Sequence, residues 1–274
     1  MKTKTLNPDV PTPSYEQQQY VRKLHRNHIL VRLYQILLFA GFLILWEISA
    51  KQHWINDFIF CCPSKLAQTL IMMSSDGSLI HHIGITLYET LIGFVIVIIG
   101  SLIIATLFWW NQTLSKVLEP YLVILNALPK SALAPVLIVW LGANKTTIIV
   151  CACSVAIFGS ILNIYTGFTN VDADKIKLIE TLHGNRFQCL RLVVLPSNVP
   201  NILSIMKVNI GLCLVGVVIG EFLAAREGLG YLIIYGSQTF KMSHVLLSIL
   251  ILCVIAMLLY LILQHMEKKF IEYF

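Results

Sequence analysis

Asn126 and Lys130 stand one helical turn apart, with Pro129 between them, inside an otherwise apolar stretch. A proline in a helix removes a backbone donor and breaks the rod. Polar groups at membrane depth are costly and usually face a cavity or a partner. Broken helices are tolerated there where they line a cavity, and substrate sites often use them. Lys130 can therefore draw an anion, or it can snorkel or pair structurally with Glu221 or Glu119. Glu221 closes a later apolar run and reads equally as a path residue or as a helix-end surface group. Asn163 and Ser160, about one turn apart, face either a pore or only a neighbouring helix. Glu47 and Glu89 lie near the ends of apolar runs and read as structural. The candidate translocation-path set is thus Asn126, Pro129, Lys130, Asn163 and Glu221. No G-x4-G-K-[ST] phosphate loop, H-E-x-x-H or G-x-S-x-G occurs, so no catalytic set is expected and the chain should not hydrolyse ATP itself. Cys151 and Cys153 have no nearby His or Asp partners, and no metal site is expected.

The elements that must hold these residues are membrane helices. The 274 residues are 57% hydrophobic and 12% charged, with a mean hydropathy of +0.77. Soluble domains carry about 25% charged residues, and a soluble fold could not hide this much apolar surface. The fold class is all-α integral membrane, because no run shows the period-2 alternation of an outer-membrane barrel. A span needs about 20 apolar residues. Six are predicted: 30–50, 84–110, a third from 118 to 141 broken at Pro129, 146–168, 201–225 and 244–263. Trp109 and Trp110 anchor the second at an interface. Residues 1–29 read as a cytoplasmic tail with a lead-in helix over 15–28, residues 30–265 as the membrane domain, and residues 266–274 as a second cytoplasmic tail. The net charge of +6 reflects orientation and does not point to nucleic acid. With the N-terminus inside, thirteen Lys and Arg fall inside and five outside, which predicts both termini in the cytoplasm.

One long mixed-charge segment remains, residues 169–200, and this orientation places it in the cytoplasm. Lys175–Leu182 has helical composition. His183-Gly184-Asn185 reads as a break, with Gly184 free to turn left-handed. Arg186–Val194 reads as a second short helix with Phe187, Leu190 and Val194 on one face. Pro196 and Pro200 then end it and start the next span. The expected product is a helix–turn–helix along the membrane surface, shaped for a groove on a partner protein.

That segment resembles the cytoplasmic EAA loop of bacterial ATP-binding-cassette (ABC) importer permeases. The family pattern runs Glu-Ala-Ala, three residues, Gly, then a stretch ending in Leu-Pro. Setting its Pro on Pro196 puts its Gly at His183 and its Glu-Ala-Ala at Lys177-Leu178-Ile179. Here the glycine comes one position later, as Gly184, and the glutamate is Glu180. Other stretches resemble the permeases of nitrate, sulfonate, taurine and thiamine-precursor importers. These are His82-x3-Thr86-Leu87-x5-Gly93-Phe94, the run from Leu125 to Pro135, Trp140-Leu141-Gly142, and Gly220-Glu221-Phe222-Leu223 with Gly228-Leu229-Gly230-Tyr231. That subfamily commonly has a basic residue where Glu89 stands. The resemblance implies a bacterial inner-membrane permease subunit that passes a small polar or anionic solute. It implies an ABC ATPase partner carrying the ATP and magnesium, a solute-binding protein outside, and a second permease copy, so a homodimer. It implies ATPase coupling through Glu180, His183, Gly184, Asn185, Arg186, Phe187, Leu190 and Pro196. The rival reading is an ion-gradient-driven secondary transporter or channel, which needs buried acids on several spans.

Overall fold

Long apolar runs punctuated by Asn, Gly and Pro give a chain of helices. The computed structural model describes residues 15–52, 54 and 61–271, and no strand occurs among them. The first unit holds α1 (Tyr15–Lys51), which starts where the lead-in helix is expected and continues without a break through the first candidate span. Near its end Glu47 accepts from the Ser64 hydroxyl (2.6 Å) and pairs with Lys51 (2.9 Å). The second unit starts at Lys65 and carries everything discussed below. Its helices are most of α2 (Pro63–Ser75), then α3 (Ser78–Trp110), α4 (Gln112–Ala127), α5 (Lys130–Leu141), α6 (Lys145–Thr169) and α7 (Ala173–Thr181). After these come the single turn α8 (Arg186–Cys189), α9 (Leu195–Ala224), α10 (Leu229–Gln238) and α11 (Met242–Ile271).

Side-chain caps set the breaks. Asn111 Oδ1 accepts from the Thr113 and Leu114 amides and starts α4. Asn144 Oδ1 accepts from the Thr147 amide and starts α6, while its Nδ2 ties back to the Leu141 carbonyl. The expected break at Pro129 is present: α4 and α5 meet at 97°.

α6 is the centre of the second unit. A Cβ on Gly93 of α3 would stand 3.0 Å from the Ala152 Cβ, and one on Gly216 of α9 only 2.6 Å from the Ala152 Cα. These glycines let three backbones close around Ala152, the small-residue packing expected between membrane helices. Around that contact lie Phe94, Val97, Ile148, Ala156, Ile210, Cys213 and Val217, all buried. Within it the Ser160 hydroxyl donates to Ser101 (2.9 Å) and accepts from Asn209 Nδ2 (2.8 Å), so three helices share one satisfied polar chain.

Cross-contacts fix the course of the chain. Gly93 meets Ala152, Ser101 meets Ser160, and the Phe108 ring meets Tyr165. α3 and α6 therefore run parallel, so α4 and α5 together must carry the chain back across the bundle. The bent pair is one broken span. With it the described chain has five unbroken candidate spans and a sixth that is broken.

The expected helix end at Pro196 and Pro200 is not found. Arg186 to Ala224 is one apolar rod of 39 residues, about 58 Å at 1.5 Å per residue. The reason lies just upstream of Pro196. Residues Leu190–Val194 form a π turn in which the Leu195 amide donates to the Leu190 carbonyl, five residues back. The wider turn makes room for a ring that would strike the carbonyl four residues earlier in a regular helix. Asn198 Nδ2 adds a donor to the Val194 carbonyl at 2.9 Å.

Candidate functional site

One end of the bundle gathers the end of α3, the start of α4, the end of α6, α7, α8 and the start of the long rod. The turn between α7 and α8 is an elbow built by main-chain bonding. The His183 amide donates to the Glu180 carbonyl (3.0 Å) and the Gly184 amide to the Ile179 carbonyl (2.8 Å). This is a paired Schellman closure of a helix C-terminus. The left-handed residue it requires is His183, at φ 58°, and not Gly184. Gly184 is needed for a different reason. A Cβ there would overlap the Ile179 side chain and lie 2.9 Å from its carbonyl. The family pattern's glycine, set on Pro196, falls on His183, the position whose backbone calls for glycine.

α8 then starts with a reciprocal cap. Asn185 Oδ1 accepts from the Gln188 amide, and Gln188 Oε1 accepts from the Asn185 amide, both at 2.8 Å. Arg186 Nη1 donates to the Trp110 carbonyl at 2.8 Å and ties the elbow to the end of α3. Glu180, Gly184, Asn185 and Arg186 share a cavity of about 540 Å³ with Lys116 and Trp109. Leu178, Leu182 and Phe187 are 60%, 71% and 56% exposed, so the elbow carries an uncovered apolar surface. Leu190 and Val194 do not join that surface. They are buried with Ile164, Phe168 and Cys189, which places Leu190 in the core. Regular helical bonding carries the chain from Phe187 to Leu190, whose amide donates to the Arg186 and Phe187 carbonyls, and packing against Ile164 and Phe168 buries Leu190, which spacing alone does not anticipate. Pro196 is half-buried inside the rod.

The break between α4 and α5 positions the middle residues. Pro129 precedes α5 as its N-cap. Lys130 reaches back and donates to the Leu125 carbonyl (3.0 Å) and the Asn126 carbonyl (2.6 Å), the open end of α4. Its ammonium also lies 5.6 Å from the centre of the Phe158 ring. The pairing with Glu221 or Glu119 is absent. Lys130 holds the broken span together, and most of its donor capacity is already used. The Asn126 side chain lies over Gly159 of α6, where a Cβ would approach its Oδ1 to 3.2 Å. Asn163, one turn further along α6, lines a second cavity of about 740 Å³ with Thr166, Asn198 and Asn201. Ser160 points the other way, into the polar chain with Ser101 and Asn209. Asn126 and Asn163 therefore mark one exposed face of α4 and α6.

Glu221 lies at the other end and is 1% exposed. Its carboxylate accepts from Thr86 (2.7 Å) and from the Gly230 amide (2.5 Å). The Leu229 amide donates to Thr86, and the Gly228 amide to His82 Nδ1, both at 2.9 Å. Gly228, at φ 105°, and Gly230 sit so close to the carboxylate that any side chain would collide with it. Both readings of Glu221 thus need correction. It is neither a surface group nor open to the exposed face of α4 and α6. It clasps the start of α10 against α3 and α9. Asn209, Ser101 and the partner role of Thr86 escape a reading of the sequence, because each depends on which helices touch.

Comparison with known families decides the assignment. Residues 96–272, well over half of the chain, match the family described as "Binding-protein-dependent transport system inner membrane component". The chain belongs to this family. It is the membrane-spanning permease subunit of an ABC importer. A probable ABC transporter permease of Haemophilus influenzae is 29% identical, over 88% of this chain and 98% of its own length. A putative aliphatic sulfonates transport permease of Bacillus subtilis is 25% identical, over 87% and 86%. Among solved structures, the inward-facing MetNI methionine ABC transporter matches with a TM-score of 0.61 at 16% identity, over 68% of this chain and 92% of that one. A bacterial importer of alginate gives 0.61 at 14% identity, over 92% and 99%. These likenesses establish the shared fold.

In this permease, then, the elbow, the broken span and the clasp are separate pieces of one bundle. ATPase and binding-protein partners come with the family.

Proposed function

We propose that the permease passes a small polar or anionic organic solute of the sulfonate, taurine or pyrimidine-precursor class. The support is the run of relatives whose names carry aliphatic sulfonates, formylaminopyrimidine and taurine. The face marked by Asn126 and Asn163 supplies neutral hydrogen-bonding groups to such a solute. Lys130 organises that face by closing α4, and does not serve as a free anion receptor. Selectivity then rests mainly on the solute-binding protein at the α10 end of the bundle.

The elbow is the ATPase contact, and this reading rests on one observation above all. Leu178, Leu182 and Phe187 are apolar, exposed and held on a doubly capped turn at the tip of a 39-residue rod. A rod with no break at Pro196 transmits movement at Phe187 into the span as a rigid lever. ATP-driven closure of two ATPase subunits would draw two such elbows together and switch the bundle between its inward- and outward-open states. Two permease copies form the path, with the elbow end in the cytoplasm of a bacterial cell. The test is Phe187→Ala in proteoliposomes with the ATPase and binding protein present. Transport per ATP hydrolysed should fall while the complex still assembles. An unchanged ratio refutes the lever.

A further inference from the structure

We propose that the cavity behind the elbow is a lipid site, holding the phosphate headgroup of an anionic phospholipid at the membrane surface. At about 540 Å³ it falls within the usual range of small-ligand pockets, about 300–1,000 Å³. Its place in the bundle sets its depth. Trp109 of its wall lies at the end of α3 and Thr169 at the end of α6, where both apolar runs give way to polar sequence. Tryptophans concentrate at headgroup level. The cavity therefore stands at the boundary between hydrocarbon and water. This follows from the membrane setting of the family alone and does not rest on the ATPase contact proposed for the elbow. Leu178, Leu182 and Phe187 are not part of its wall.

The lining divides by chemistry. Trp109, Tyr165 and Phe168 supply an aromatic wall. The polar part is rich in donors. Lys116 is exposed and makes no hydrogen bond or ion pair among the described residues. Arg186 uses one N–H of Nη1 on the Trp110 carbonyl, and the rest of its planar fork bonds to nothing among the described residues. That one bond pins the guanidinium, and a fork held in place suits a phosphate. Asn185 uses its Oδ1 in the cap of α8 and keeps its side-chain NH₂ to donate. Against these groups stands one carboxylate, Glu180, which is exposed and pairs with neither cation. Two cations against one acid give the cavity a net positive charge. The matching ligand is anionic, rich in acceptors and apolar at one end, which is the make-up of a phospholipid headgroup with its glycerol backbone. A metal ion does not fit, since no cluster of three or more Asp, Glu, His or Cys occurs among the described residues.

The consequence is a lipid that belongs to the elbow. Lys116 stands in α4 and Arg186 in α8, so a headgroup held by both ties the broken span to the elbow. A ligand that binds only the folded chain also stabilises it. The charges give opposite signs. Removing the Lys116 charge weakens the hold on an anionic headgroup, and removing the Glu180 charge strengthens it. A residue with a merely structural role would not produce that pair of signs.

The test uses the full purified chain in detergent, without ATPase or binding protein. Native mass spectrometry counts bound lipid as dioleoylphosphatidylglycerol is titrated, with the phosphatidylcholine and phosphatidylethanolamine of the same chains as comparisons. Phosphatidylglycerol should bind best. Lys116→Gln should weaken its binding about fivefold, the ordinary worth of one basic residue at an anionic membrane surface, and Glu180→Gln should tighten it. Both side chains are exposed and bond to nothing among the described residues, so both variants should fold. Lys177 of α7 lies outside the cavity and faces Asp174 at 3.7 Å, so Lys177→Gln should leave binding unchanged. Equal or better binding of the two zwitterionic lipids, no change in Lys116→Gln, an equal loss in Lys177→Gln, or weaker binding in Glu180→Gln overturns the proposal. Phosphatidylglycerol should also raise the thermal midpoint of the parent chain. The same rise with glycerol 3-phosphate alone would make the ligand a soluble phosphate and overturn the lipid assignment.

Discussion

Lys207 of α9 and Glu267 of α11 form an ion pair at 2.7 Å, with side chains only 15% and 16% exposed. Lys207 lies in the apolar run of α9 and Glu267 in the last turns of α11, whose Leu259 and Leu263 pack against the buried cluster around Ala152. Removing one partner leaves the other charge buried and unpaired, which costs about 3–5 kcal/mol. At about 1.4 kcal/mol per factor of ten, the folded-to-unfolded ratio should drop by roughly two to four orders of magnitude. Replacing both by apolar residues of similar volume should be close to neutral, because desolvation and attraction nearly cancel in such pairs. The assay is a double-mutant cycle of Lys207→Met, Glu267→Leu and the combination, read by reversible denaturation in detergent micelles. Each single change should destabilise strongly, and the double should recover most of the loss. If Lys207→Met costs under about 1 kcal/mol, or the losses simply add, the pair is a solvated surface contact and the reasoning fails.

Three further outcomes follow from the same geometry. His183→Gly should stabilise the elbow by up to about 1 kcal/mol, because glycine enters the left-handed region without a Cβ penalty, whereas Gly184→Ala should destabilise it through the Ile179 clash; thermal midpoints of the two variants check the opposite signs. Gly216→Val should cost about 1–3 kcal/mol or more by overpacking α9 against Ala152, seen as a lowered midpoint and poor recovery from membranes. Lys130→Met should lower stability by freeing the Leu125 and Asn126 carbonyls, yet leave the ranking of transported solutes unchanged in competition assays; a changed ranking would return Lys130 to the solute path.

Much of this was legible from residue types. Hydropathy alone marks the long apolar spans, though not the short helix α10, and Pro129 with its flanking polar groups marks the broken span at the right place. His183-Gly184-Asn185 marks the elbow because its residues are poor helix formers that favour turns and caps. Four features were hidden. Leu190 reads as part of the Phe187 face because the two stand three positions apart, and only the packing of α6 against this segment shows that it is buried. The π turn after Leu190 rescues Pro196, which by itself reads as a helix end, and 3.6-residue counting cannot see a local change of period. Glu221 reads as a free end group because Thr86, His82 and Gly230 are brought to it only by the packing of α3 and α10 against α9. Lys130 reads as available for the same kind of reason: its partners are backbone carbonyls, which leave no trace in the pattern of side chains.

The most direct test of the importer reading is recovery of the tagged chain from detergent-solubilised native membranes, with mass identification of its companions. A P-loop ATPase should come with it and be lost when the exposed elbow residues are reversed in character by Leu178→Asp, Leu182→Asp and Phe187→Asp, while the variant stays folded. Recovery of the parent chain without any ATPase, still moving solute into vesicles on an ion gradient alone, would contradict the account.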